Sequence, residues 1–197
     1  MKKILMYLTP IVRPLAMTGL LAISLGCAGA MKSTEFTNPN IDFAFVQRVA
    51  VLPFDNLSSD SGAGVRATRL MMTELLASGA VDVVEPGEVE GALAQLTGLR
   101  RQPTVAEILS LGESLQVEAV IMGTVAQSEV IRSGSVGIPV VTIDARMLET
   151  ESGAIIWAAT HSEKGSGLTA RVLGTGGKPI SETTRRCIQQ LVDTLLE

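Results

Sequence analysis

Apolar positions change their spacing along this chain, and each change marks an element. Arg48 to Phe54, RVAVLPF, is a short continuous apolar run between turn residues, as in a strand covered on both faces. From Ala63 to Ser78 the polar positions Arg66, Arg69 and Thr73 fall on one stripe, while Val65, Leu70, Met71, Met72, Leu75 and Leu76 cover the rest. This predicts an amphipathic helix ended by Gly79. Val81 to Glu85 predicts a second strand, turned by Pro86-Gly87. Val89, Ala92, Leu93 and Leu96 then mark a short helix closed by Gly98. Thr104 with Glu107 has the spacing of a capping box, and it opens a helix whose apolar stripe is Ile108, Leu111, Gly112 and Leu115.

The second half of the chain alternates. Ala119 to Gly123 starts a third strand that is buried at first and alternates toward Val130, followed by a Gly-Ser turn at Ser133 to Gly137. Val141, Ile143, Ala145 and Met147 then alternate with Thr142, Asp144 and Arg146, the mark of a half-exposed antiparallel strand. The turn Glu149 to Gly153 returns the chain into a strand from Ala154 to His161. Residues 165 to 178 hold five glycines and read as a mobile loop, after which Pro179 or Ile180 opens the last helix. The predicted class is α/β, in the order β-α-β-α-α-β-β-β-α. Strand–helix–strand steps imply parallel right-handed crossovers, and the short turns of the last three strands imply a meander. Together they predict a single mixed sheet, partly parallel and partly antiparallel, with helices on both faces.

The N-terminus has a different pattern. Lys2, Lys3 and Arg13 form a basic region, and Leu15 to Leu25 is an apolar run of signal-peptide length. Pro10, Arg13 and Pro14 interrupt any longer run, which leaves it short of the roughly 20 apolar residues that span a bilayer. Ser24-Leu25-Gly26-Cys27 resembles the lipobox of bacterial lipoproteins: Gly26 and Cys27 match, and Ser24 and Leu25 match less well. The resemblance implies cleavage between Gly26 and Cys27 and lipidation of Cys27 by diacylglyceryl and fatty acyl (palmitate-type) groups, enough to hold the protein on its membrane. An ordinary secretory signal cut after Ala28 or Ala30, or an uncleaved anchor, would use the same residues differently. Ala28 stands where inner-membrane lipoproteins of enteric bacteria carry Asp, which points to the periplasmic face of the outer membrane and leaves the inner membrane open. The expected organisation is a signal peptide at 1–26, an acylated N-terminus and flexible tether at 27–46, and an α/β domain at 47–197. Ile41, Phe43 and Phe45 alternate at the end of the tether and are expected to dock onto the domain.

Without residues 1–26 the chain keeps 171 residues, enough for one well-buried domain. It also keeps 13 basic against 20 acidic residues, about −7, which argues against a nucleic-acid partner. With Cys27 acylated, Cys187 has no intrachain mate and reads as core packing on the apolar side of the last helix, beside Ile180, Thr184, Leu191 and Leu195.

A few residues are candidates for chemistry. Gly62, Gly64 and Ala67 fit G-x-G-x-x-A, with Glu85 about twenty residues on, but Asp55 to Ser61 intervene where a dinucleotide site would turn directly after its strand. Asn56, Ser58, Ser59, Asp60 and Ser61 read instead as turn and cap residues, and no cofactor is expected. His161 is the one histidine, without a G-x-S-x-G elbow, and reads as a solvated strand-end residue. No His, Cys or Asp cluster has metal spacing. An enzyme is not expected. Trp157 reads as core packing or as a partner-binding anchor, and Arg146 as a charge on the sheet surface that pairs with a neighbouring acid or meets a partner.

Three segments carry a family resemblance: VAVLPFDN at 49–56, LGESLQVEAVIMGTV at 111–125, and ARMLETESGAIIWAA at 145–159. They resemble the CsgG-like lipoproteins, which include the curli secretion channel subunit and, more distantly, the LpoB-like activators of penicillin-binding proteins, on a fold similar to the TolB N-terminal domain. The resemblance implies a periplasmic protein without enzymatic activity that acts through other envelope proteins or copies of itself. The curli channel's two membrane-inserting hairpins would need roughly 40 more residues at about 9 to 11 per barrel strand. The expected function is therefore a lipid-anchored adaptor or assembly factor. The alternatives are a subunit of an outer-membrane secretion assembly and a periplasmic nucleotide- or ligand-binding protein.

Overall fold

The computed structural model describes residues 34–41, 43–96, 102–133, 136–165 and 178–196. The expected signal peptide with Gly26, the expected lipidation site Cys27, Gly98 and most of the Gly-rich stretch lie outside the described residues.

Four strands make the parallel half of one sheet: β2 (Arg48–Val51), β3 (Asp55–Asn56), β4 (Asp82–Val83) and β5 (Ala119–Ser133). The first crossover carries helix α1 (Ala63–Ser78). The second carries α2 (Pro86–Leu96) and α3 (Val105–Leu115). The antiparallel half is the meander of β5, β6 (Val136–Glu149) and β7 (Ile155–Lys164), and α4 (Ile180–Leu196) follows it. With β1 (Thr34–Thr37) at the far edge, the seven strands run in the order β1-β7-β6-β5-β2-β4, and β3 continues alongside β5.

The apolar run of β2 has a direct cause. Its alternate residues feed two separate cores: Val49 and Val51 join the cluster under α1 and α4, while Ala50 and Leu52 join the cluster under α2 and α3. β5 behaves alike at first, with Ala119 and Ile121 on one side and Val120 and Met122 on the other. Past Met122 no buried residue of β5 belongs to the α2–α3 cluster, and the side they cover turns polar at Thr124 and Gln127. This is why the strand begins continuous and ends alternating. Full burial of residues such as Met71, Leu75 and Ile121 contributes roughly 1.5–3 kcal/mol each.

Local signals place the helix ends. Thr104 caps α3 with both halves of its capping box formed. Gly79 ends α1 in the left-handed conformation, φ 66°. Pro86, expected in a turn, is the first residue of α2, where its missing N–H is not needed.

Three features differ from expectation. Residues Thr34–Thr37, inside the expected tether, form β1, an edge strand antiparallel to β7 with Thr34 opposite Thr160 and Thr37 opposite Trp157. Ile41 and Phe43 beyond it pack against the core, as their alternation suggested, through a 3-10 turn at Phe43–Phe45. The β5–β6 hairpin is longer than its apolar core required. It runs past the ends of both neighbours, since β7 pairs with β6 only from Val140 onward and β3 pairs with β5 only as far as Val125. Lastly, a register shift sets Met147 opposite Trp157 and Leu148 opposite Ile155, leaving Ile156 as an extra residue. Ile156 and Trp157 are therefore both buried in one core, although strict alternation would send them to opposite faces.

Candidate functional site

The uncovered part of the sheet, beyond α2 and α3, carries two transverse rows of side chains set by strand register. One row is Met122, Arg146, Ala158 and Phe36; the next is Thr124, Asp144, Thr160 and Thr34. Residues opposite one another across a sheet share a face, so both rows rise toward solvent on the side that α2 and α3 leave bare. Leu52 and Leu93 wall one side and Phe36 the other. The result is a cleft of about 390 Å³, within the range of small-ligand sites.

Arg146 sits half-buried on the floor of this cleft. Its Nη2 donates to Gln102 Oε1 at 3.3 Å, and Gln102 Nε2 donates to Asp55 Oδ2 at 2.8 Å. Asp55 thus fixes which end of the Gln102 amide faces the guanidinium. Asp144, two positions along the same strand face, accepts instead from Thr160 Oγ1 at 2.6 Å. Among the described residues no carboxylate lies within ion-pair distance of Arg146. The neighbouring acid that the sequence offered as its mate is engaged elsewhere.

Trp157 does not share this site. It lies on the opposite face of the sheet, 1% exposed, beneath the helices. Of the two readings of this residue, the structure has the core-packing one, and the side chain offers no surface to a partner. The indole Nε1 is buried without a hydrogen-bond partner among the described residues.

His161 also departs from expectation. It is 6% exposed rather than solvated, because its place in the β7 alternation is on the face covered by α4. Both ring nitrogens are buried without hydrogen-bond partners among the described residues, and Glu163 Oε2 stands 3.8 Å from Nε2. Cys187 is fully buried beneath it, its Sγ 3.3 Å from the His161 carbonyl oxygen. Burial, and then the negative charge of Glu163, push this thiol up to about 12. A thiol so far from thiolate formation packs and does not react, in agreement with the sequence.

A polar cluster that no single segment announced joins three elements. Asp60 accepts from Arg66 Nη2 at 2.5 Å, from Ser128 Oγ at 3.0 Å and from the Gly62 N–H at 3.2 Å. Arg66 Nε in turn donates to Thr184 Oγ1 at 3.3 Å on α4. Arg66 is the main cause holding the Asp60 carboxyl below its ordinary value, and Ser128 adds to it while burial opposes. At the start of α1 Gly62 is the N-cap and no side chain caps the first turn; Asp60 Oδ1 accepts only the N–H of Gly62 itself. Gly64 serves packing: a Cβ there would lie 2.6 Å from the Phe54 carbonyl oxygen. Among the described residues no group of three His, Cys, Asp or Glu side chains is placed to hold a metal ion, and no helix is long and apolar enough to cross a membrane.

This architecture, one mixed sheet with a helix pair on each face, recurs in solved structures of bacterial proteins. PelC from Paraburkholderia phytofirmans, solved as a dodecamer, is similar at a TM-score of 0.56 and 18% identity, over 82% of this chain and 96% of that one. Lipoprotein GNA1162 from Neisseria meningitidis is similar at 0.54 and 16% identity, over 76% of this chain and 98% of that one. The hypothetical protein CT253 from Chlamydia trachomatis is similar at 0.52 and 12% identity, over 76% and 95%. At these identities the likeness is one of fold. The LpoB C-terminal domain from Escherichia coli is less similar, at 0.45 and 17% identity over 59% of this chain and 82% of that one. Kinship with CsgG itself is not shown. No family model matches the chain, and no curated protein does.

Proposed function

We propose that this chain is a non-enzymatic adaptor of the bacterial envelope, anchored through lipid on Cys27 and acting by binding other envelope proteins or copies of itself. The β5–β6 hairpin carries the reading. Beyond Val125 and Val140 it has no neighbouring strand among the described residues, and it displays Val130, 55% exposed, and Ile131, 45% exposed, on its two faces. An open strand edge with apolar side chains at a projecting tip is a surface suited to another protein. On β6 the overhang past Val140 is only Val136–Pro139, far short of the roughly 9–11 residues of a membrane-barrel strand. That length favours a protein partner over lipid. The shared fold with lipoprotein GNA1162 supports the envelope setting, together with the Cys27 context.

Two measurements test this. Cells fed a fatty-acid analogue are expected to label the wild-type chain and not Cys27→Ser; equal labelling of both would remove the anchor. Crosslinked capture from native envelopes is expected to recover a defined partner, and a Val130→Glu, Ile131→Glu double variant is expected to lose it with an unchanged unfolding midpoint. Undiminished capture would remove the hairpin from the reading.

A second reading has its own observation, the fold shared with a protein solved as a dodecamer. On it, the chain is a subunit of an outer-membrane assembly, and light scattering in mild detergent is expected to give a large closed oligomer. A monomer under those conditions would leave only the adaptor.

A further inference from the structure

We infer that the cleft around Arg146 is a binding site for a monoanionic carboxylate with an apolar body, the carboxylate on the guanidinium and the body over Ala158 against Phe36. The inference does not depend on the adaptor reading, because it concerns the cleft and not the hairpin.

The cation comes first. A guanidinium has five donors in a planar fork that matches a carboxylate. Arg146 uses one of them, on Gln102, and no described carboxylate neutralises it. It is nonetheless held in place. The Asp55–Gln102–Arg146 chain anchors it from β3 across to β6, and the small Ala158 beside it leaves its outer flank clear. Such an arginine forms a strong bidentate pair with an anion without first having to be ordered.

Shape gives the second half of the ligand. Arg146 and Phe36 stand on either side of Ala158 in one transverse row, two strand spacings or roughly 10 Å apart. Only a methyl group lies between them. Phe36 is 49% exposed although it faces a cleft walled by Leu52, Leu93 and Met122. A flat or linear apolar group in that slot would cover Phe36 and Ala158, while its acid end reached Arg146.

Charge selects among anions. Glu35, Asp55 and Asp144 line the cleft beside Arg146, so of the anions that could pair with the guanidinium the one carrying the least charge is repelled least. This favours a carboxylate over a phosphate dianion. The chemistry is shared by the C-terminus of a peptide and by a free aryl- or alkyl-carboxylic acid.

The test is calorimetric titration of the full chain, as it is recovered from cells, in mild detergent. The probes are N-acetyl-Leu-Phe, the same dipeptide as its carboxamide, 3-phenylpropanoate and inorganic phosphate. At least one carboxylate probe is expected to bind, the carboxamide about tenfold or more weaker than its acid, and phosphate not at all. Arg146→Gln is expected to erase the difference between acid and amide, and Ala158→Phe to block binding by filling the slot, both with unfolding midpoints near wild type. Tighter binding of the dipeptide would assign the site to a peptide C-terminus, and tighter binding of phenylpropanoate to a free acid. The inference is overturned if no probe binds, if acid and amide bind alike, if Arg146→Gln keeps the discrimination, or if phosphate binds as well as the carboxylates.

Discussion

Asp60 and Arg66 show how one pair of residues can tie a fold together. Through them the 57–62 loop, α1, β5 and α4 share a set of hydrogen bonds whose members are as far apart in the chain as Arg66 and Thr184. Arg66→Ala would take the guanidinium donor from both Asp60 and the buried Ser128, at an expected loss of about 1–3 kcal/mol, measured by denaturant unfolding at pH 7. The pH dependence has a definite sign. The folded-state value of Asp60 lies below that of the unfolded chain, so its contribution is complete above about pH 4 and is lost as pH falls through the lower, folded value. The stability gap between wild type and Asp60→Asn is therefore expected to be widest near neutrality and to close in acid. A gap that stayed constant down to about pH 2 would contradict the role given to Asp60. None of this network was legible in the sequence. Its residues are common polar types, and only the packing of α1 on β5 and α4 brings them together.

At the scale of elements, the sequence was read best where one physical signal dominated. Helix α1 matches its predicted span, Ala63–Ser78, because its stripe of polar residues and its terminal glycine both act locally. The Thr104 capping box is likewise a contact within four residues. Replacing Thr104 by Ala is expected to cost about 1 kcal/mol. Gly64→Ala is expected to cost about 1–3 kcal/mol, since its methyl would press on the Phe54 carbonyl at the point where α1 meets the sheet. Thermal unfolding checks both, and a neutral Gly64→Ala would show that α1 can shift. Strand β1 was missed for the opposite reason. All four of its residues are exposed, so no hydrophobic pattern marks TEFT, and its order comes from backbone pairing to β7. The bulge at Ile156 left no local trace either, which is why Trp157 and its neighbour could not be assigned to their common core from alternation alone.

For the whole molecule, β1 changes the relation of domain to membrane. With Thr34 already in the sheet, a lipid on Cys27 would be separated from the domain by about seven residues, at most roughly 25 Å of extended chain. On the proposed anchoring, the domain is held close to its membrane. The same strand brings Phe36 to the rim of the Arg146 cleft, so the segment expected to be a spacer supplies part of the candidate site. A chain beginning at Gln47 would lose β1 and the packing of Ile41 and Phe43. It is expected to unfold several degrees lower than one beginning at Met31, as read by calorimetry.

By itself the sequence determined the mixed α/β class, the order of its main elements and the two-faced core. Each of these depends on periodicity or on contacts between near neighbours. Only the tertiary structure decided that Arg146 lies in a cleft with no carboxylate mate among the described residues, that His161 and Trp157 are buried, that Asp60 is tied to Arg66 and Ser128, and that the tether's end is a strand. These are relations between distant segments, fixed by strand register, by a one-residue bulge and by where the helices stop covering the sheet.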